Sequence, residues 1–220
     1  MVLLALAGIA AAKLQPKKTT EQRLAEYGPT ARARLRSHFD KAKIDYPSAR
    51  LVLVGIKAER RLELYGAGQD GRLKFLRDYP VLAASGGPGP KLREGDRQVP
   101  EGVYPIELLN PNSRFHLSLR VGYPNAFDRT IGQLDGRAQL GGDIMIHGSN
   151  VSIGCLAMGD EAAEDLFVLA ADTGLKNITV ILTPVDFRQS KSEPKVASLP
   201  PWAPELYTHI RTNLAEVPLR

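Results

Sequence analysis

A single cysteine, Cys155, stands eight positions after a histidine, His147, in a chain of 220 residues. A thiol and an imidazole that can meet across a tight loop support covalent acyl transfer. The imidazole takes the thiol proton and the sulfur attacks a carbonyl. Gly154, directly before the cysteine, permits a tight backbone. The N–H groups of Gly154 and Cys155 can then face one oxygen, as an oxyanion hole requires. Gly148 leaves the His147 ring room to turn toward the loop. The second ring nitrogen needs an orienting partner. No Asp or Glu lies between the two residues, so a backbone carbonyl near Gly148 or Ser149 is the expected one. Two blander readings stand beside this one: a lone cysteine as a small buried apolar residue, and a strand-end histidine as a satisfied polar group. His38, His116 and His209 have no comparable neighbours. One cysteine and no His-x-x-x-His pattern argue against a structural zinc site, and nothing calls for a cofactor.

The flanks must position this pair. Asp143 to Ile146 reads as a short buried strand ending at His147, and residues 160–173 read as an amphipathic helix closed by Gly174. A thiolate just ahead of that helix would gain from its dipole and unpaired N–H groups. Upstream, residues 13–28 are polar and read as a linker, followed after Pro29 by a helix over 30–44 with an apolar stripe at Ala31, Leu35, Phe39 and Ala42. Strand signals follow at 50–56, 61–65 and 79–85, with a turn at 57–60. The Gly/Pro-rich stretch 86–102 is a long loop of the kind that often carries function. It lacks the Gly-Lys-Ser/Thr and following helix of a phosphate-binding loop. Strands at 103–108 and 115–119 flank an Asn110-Pro111-Asn112 turn, and residues 122–125 form another turn. A last strand spans 178–182, a linker 188–201, and a final helix 202–217. Seven or eight mostly consecutive strands predict an α+β fold with a mainly antiparallel sheet core and flanking helices.

Composition suits one globular unit, at 43% apolar and 24% charged. Met1 to Ala12 is uncharged and ends in a run of alanines, like the apolar region and cleavage site of an export signal but with no Lys or Arg ahead of it; the other reading is a short membrane-leaning segment. It is shorter than the about 20 residues a membrane span needs. Lys13 to Arg61 holds thirteen Lys/Arg against five Asp/Glu. This basic excess reads either as a solvated helix face or as attraction to an anionic surface such as lipid headgroups or a wall polymer. No nucleic-acid-binding motif or aromatic interleaving accompanies it, which argues against a nucleic-acid partner.

The residues also resemble a known family. His147-Gly148, then Ser152-x-Gly154-Cys155, then a helix is similar to the signature of the L,D-transpeptidase (YkuD) superfamily. The stretches Leu109 to Ser118, Gly122 to Arg129 and Ile146 to Met158 resemble its YafK-like branch, and the likeness covers roughly residues 48–187. Segments 1–12, 13–47 and 188–220 would flank that catalytic domain. The resemblance implies the β-rich fold of those exported enzymes and action on peptidoglycan stem peptides in the periplasm. It implies Cys155 as nucleophile, His147 as base, Gly154 in the oxyanion hole, and Ser152 holding the loop or the substrate. Tyr123, Asn125, Arg129 and Ser149 are expected around the pocket, an arginine there meeting a substrate carboxylate. Ile153 stands where the broad family has a histidine, Ala157 where it has Arg or Asn, and the loop from His147 to Cys155 is shorter. The branch implies cleavage of the amide joining a wall-linked lipoprotein to diaminopimelate, instead of or beside cross-linking. The alternative is a catalytically silent domain that keeps the fold and binds wall or membrane.

Overall fold

Strand β1 (Leu51–Ile56) is buried along its whole length, as its unbroken apolar run requires of a strand covered on both faces. In the computed structural model, which describes residues 16–190, 194 and 199–220, it lies third in one eight-stranded sheet. The uncharged stretch 1–12 and most of 191–198 lie outside the described residues. The other strands are β2 (Arg61–Ala67), β3 (Leu73–Pro80), β4 (Gly102–Ser113), β5 (His116–Val121), β6 (Met145–His147), β7 (Leu156–Ala157) and β8 (Ile178–Thr183). The spatial order is β3-β2-β1-β8-β4-β5-β6-β7. Five of the seven strand pairs are antiparallel, and β1–β8 and β6–β7 are parallel.

Alternation along β1 sends Leu51 and Leu53 into one core and Val52, Val54 and Ile56 into another. Helices α1 (Thr20–Ala42) and α3 (Asp160–Thr173) cover the first face through Leu35, Phe39, Leu166 and Phe167. Helix α4 (Ala203–Leu214) covers the second through Leu206, Tyr207 and Ile210. A short helix, α2 (Ala126–Leu134), follows β5. The fold is thus the expected α+β type.

Several elements differ from expectation. Helix α1 begins at Thr20, capped by Thr19 and Gln22, and Pro29 lies inside it. An interior proline costs roughly 3 kcal/mol. Tertiary contacts outweigh that cost: Arg23 Nε donates to the Pro111 carbonyl at 2.8 Å, and Tyr27 packs edge-on to His116. Strand β4 runs through Asn110-Pro111-Asn112, with a register irregularity there, and the turn falls at residues 114–115. Strand β3 spans 73–80 rather than 79–85, and the shift in register between Leu64 and Tyr65 breaks its period-2 pattern. Helix α2 buries only Ile131 and Gly132, too little to show a stripe in sequence.

The basic run of α1 is partly spent inside the molecule. Arg32 binds Asp172 through two bonds of 2.7 Å, and Arg34 Nε binds the fully buried Asp165 at 2.8 Å. Arg77 reaches the other oxygen of Asp165 at 3.1 Å.

Segment 81–101, between β3 and β4, is irregular but fixed. The Lys57 ammonium, nearly buried, donates to Glu101 Oε1 at 2.9 Å and to the carbonyls of Gly89 and Val99. Glu101 also accepts from the Gly89 N–H and the Tyr207 hydroxyl. Burial pulls the Lys57 pKa down even against its carboxylate partner. Truncating one member of such a pair leaves an unpaired buried charge, worth about 3–5 kcal/mol. Glu101→Ala should therefore lower stability by about that amount in urea unfolding. It should also expose residues 86–98 to limited proteolysis before the sheet unfolds.

Candidate active site

The site is assembled at the sheet edge. His147 ends β6, paired to Ser118 of β5, and is 2% exposed. Its Nδ1 lies 2.6 Å from the carbonyl oxygen of its neighbour Gly148. A carbonyl only accepts, so Nδ1 carries the proton and Nε2 holds the free lone pair of a base. The ring stacks on Phe115 at 4.8 Å, which fixes its plane. Gly148 is required by close approach: a Cβ there would lie 2.8 Å from the Phe115 carbonyl oxygen and 2.5 Å from Asp160 Oδ1.

From Gly148 the chain loops out and returns as β7, which pairs in parallel with β6, Ile146 against Leu156. Cys155 therefore arrives beside Met145, whose N–H points at Sγ from 3.4 Å. The thiol faces the Asp143 carbonyl at 3.6 Å. Strand β7 and two further residues separate Cys155 from α3, so the expected stabilisation by that helix N-terminus is not realised. Burial instead pushes the thiol pKa up; the Met145 N–H and Lys91 pull it down, and Asp143 adds to the rise. Burial likewise pulls the His147 pKa down, against the Gly148 carbonyl. The resting pair at neutral pH is thus a thiol and a neutral imidazole. No hydrogen bond joins them: Nδ1 and Sγ have the partners just described.

The two backbone N–H groups of the expected oxyanion hole are both engaged. Ser152 Oγ accepts from the Cys155 N–H at 3.0 Å and donates to the Cys155 carbonyl at 2.7 Å. Ser85 Oγ, from the long loop, accepts from the Gly154 N–H at 2.6 Å and donates to the Arg97 carbonyl at 2.7 Å. Gly154 sits at φ +86°, a conformation that a side chain would strain. Ser152 thus holds the loop.

A cleft of about 210 Å³ opens beside the thiol, lined by Lys91, Glu94, Arg97, Asp143, Ile153, Gly154 and Cys155 among others. A smaller, mainly apolar cavity of about 50 Å³ is lined by Ser85 but not by Cys155. Four residues expected around the pocket do not line the cleft. Tyr123 is buried with its hydroxyl on the Leu140 carbonyl at 3.1 Å. Asn125 caps α2 and donates to the Val103 carbonyl. Arg129, on α2, turns back onto the Pro124 carbonyl. Ser149 is tied to the start of α3, its N–H to Asp160 at 2.7 Å and its carbonyl to the Gly159 N–H. These four shape the fold around the site. Lys91, Glu94 and Arg97 take the places at the cleft. Their signal was the unusual length of their loop rather than any motif. Among the described residues no group of His, Cys, Asp and Glu is placed to hold a metal ion.

Comparison with known proteins bears on this arrangement. The family model for the L,D-transpeptidase catalytic domain (YkuD) matches residues 49–182. The protein named "Putative L,D-transpeptidase YafK" of Escherichia coli (strain K12) is 40% identical over 113 residues, which are 50% of this chain and 43% of YafK. Its counterpart in strain O157:H7 matches identically. The chain thus spans less than half the length of the curated relatives it matches. The helical cell shape determining protein Pgp2 of Campylobacter jejuni shares the fold, with a TM-score of 0.51 at 21% identity over 80% of this chain and 58% of that one.

The raised thiol pKa sets a measurable expectation. The rate of Cys155 alkylation by iodoacetamide should still be climbing at pH 9, because the reactive thiolate fraction is small at neutral pH. A plateau below pH 7 would instead reveal a preformed thiolate.

Proposed function

We propose that this chain, which belongs to the L,D-transpeptidase (YkuD) catalytic-domain family, performs cysteine-dependent acyl transfer on peptidoglycan stem peptides in the periplasm. The observation that carries the reading is the Cys155 thiol in an open cleft, with His147 held one strand away in the tautomer that leaves Nε2 basic.

In this mechanism His147 Nε2 takes the Cys155 proton as sulfur attacks the carbonyl at the L-centre of diaminopimelate. The C–N bond breaks, the imidazolium returns the proton to the leaving amine, and a thioester remains. Water or an amine then attacks the thioester, giving hydrolysis or transfer, and the thiol is restored. The amide cleaved would include one linking a lipoprotein lysine to diaminopimelate. Burial disfavours the His147 charge, so the ring keeps its base form to lower pH than an ordinary imidazole.

The engaged N–H groups of Gly154 and Cys155 fit this chemistry in a particular way. A substrate carbonyl would have to displace the Ser85 and Ser152 hydroxyls already in place, one neutral acceptor for another. A developing oxyanion is better, since hydrogen bonds to a full charge are roughly twice as strong. Exchange of hydroxyl for oxyanion therefore favours the transition state over the bound substrate. No helix among the described residues is long and apolar enough to cross a membrane.

The test is to incubate purified sacculi with the wild-type protein and with Cys155→Ala, and to read muropeptides by mass spectrometry. The wild type should consume L,D-linked or lipoprotein-linked peptides at least about 1000-fold faster than the variant. Equal profiles would discard the enzyme and favour a silent wall-binding domain.

A further inference from the structure

Four charged side chains line the Cys155 cleft: Lys91, Glu94, Arg97 and Asp143. Two are neutralised by the protein. Lys91 Nζ is 2.6 Å from Asp96, and Asp143 lies 3.4 Å from Arg120. Arg97 and Glu94 make no side-chain hydrogen bond or ion pair with any described residue, and none with each other. One cation and one anion thus stay unspent at the mouth of a cleft that holds a thiol.

The turn that carries them is rigid. Asp96 gathers the N–H groups of Leu92, Arg93 and Gln98 and the Lys91 ammonium on its carboxylate. Burial opposes the Asp96 charge, but those donors outweigh it and hold the carboxyl below its ordinary pKa. Gly95 at φ +74° and Arg97 at φ +58° give the turn its left-handed corners. The Arg97 carbonyl is pinned by Ser85, and its Cα lies 3.9 Å from where a Gly154 Cβ would be. On the same turn, the Glu94 N–H donates to the Gln139 carbonyl, and Glu94 Cα comes within 3.0 Å of a Cβ built on Gly141. The backbones of both residues are therefore fixed at the cleft wall, and both side chains are exposed there.

We infer that Arg97 and Glu94 form a subsite for a zwitterionic amino-acid end, an α-carboxylate and an α-ammonium on one carbon. A single charge of either sign would satisfy one side chain and repel the other. A zwitterion satisfies both, and its two charges are as close together as two side chains three residues apart on a tight turn require. Arginine takes the carboxylate through its planar fork, and the glutamate accepts from the ammonium. Within the reading proposed above, the far end of diaminopimelate is such a group. The subsite would then select stem peptides in which that end is free, and it rests on that reading only for the name of its ligand.

The experiment separates the two. Cys155 is modified with methyl, 2-sulfonatoethyl and 2-(trimethylammonio)ethyl methanethiosulfonate, and each charged reagent's rate is divided by the methyl rate. The quotient cancels changes in thiol pKa. Arg97→Ala should lower the sulfonate quotient by about threefold to fivefold, the size of an exposed ion-pair contact, and Arg97→Lys should keep most of it. Glu94→Gln should lower the trimethylammonio quotient similarly. Quotients unchanged in all variants would overturn the subsite. Turnover is then measured on amides of diaminopimelate and on matched lysine peptides, which lack the distal carboxylate. Arg97→Ala should raise KM for the first about tenfold with little change in kcat, and should not raise it for the second. An equal rise for both peptides would also overturn the subsite. Altered quotients with no turnover of either peptide would support the subsite and discard the reaction.

Discussion

The buried contact between Lys57 and Glu101 is the constraint on which the site depends. Segment 81–101 has no strand or helix to hold it. Its form comes from one ammonium that gathers two carbonyls and a carboxylate, and from that carboxylate's bonds to the Gly89 N–H and the Tyr207 hydroxyl. Burying two charges is costly, and the cost is met only because nearly every donor and acceptor is used. The return is geometric. Both ends of the loop are tied to the sheet and to α4, so Ser85 can reach Gly154 and the turn at 91–98 can face the cysteine.

At the cysteine itself the structure holds reactivity in reserve. A half-buried thiol with a raised pKa and a buried imidazole with a lowered one form a neutral pair. Such a pair is slow toward oxidants and stray electrophiles, because only the thiolate reacts. Ser85 and Ser152 extend the same restraint to the backbone by keeping two N–H groups satisfied. An unpartnered N–H in a partly buried loop would be a standing destabilisation. The hydroxyls remove it without supplying a charge that would compete with a reaction intermediate.

Much of this was readable in the residues. The strand ending at His147, helix α3 over 160–173 and strand β8 carry strong local signals, and the structure places them at or near the expected bounds. The carbonyl that orients His147 followed from the absence of carboxylates in the loop. What the sequence hid was long-range. Pro29 looked like a helix start, because the contacts of residues 18–27 with the end of β4 have no local trace. Two-residue β7 exists only through its partners on either side, β6 and Ala83, and without it Cys155 appeared to abut a helix. Tyr123, Asn125 and Arg129 were expected at the pocket because they lie in a stretch that resembles the YafK-like branch. They are spent on a buried hydroxyl bond, a helix cap and a turn. Polarity at a turn reports that backbone groups need partners, and it does not say whether a ligand is one of them.

Asp165 has a consequence for where the molecule can be divided. The family match begins at residue 49, yet this fully buried carboxylate of α3 is held by Arg34, from a helix that ends before the match begins. Burial already pushes its pKa up against the pull of Arg34 and Arg77. Removing the first forty-eight residues would take away one of its two guanidinium partners and uncover the sheet face under Leu35 and Phe39. The stretch recognisable by descent is therefore smaller than the stretch that folds cooperatively. The leading helix is part of the catalytic body's core, and grafting or excising the domain at the edge of its sequence signature would cut through that core.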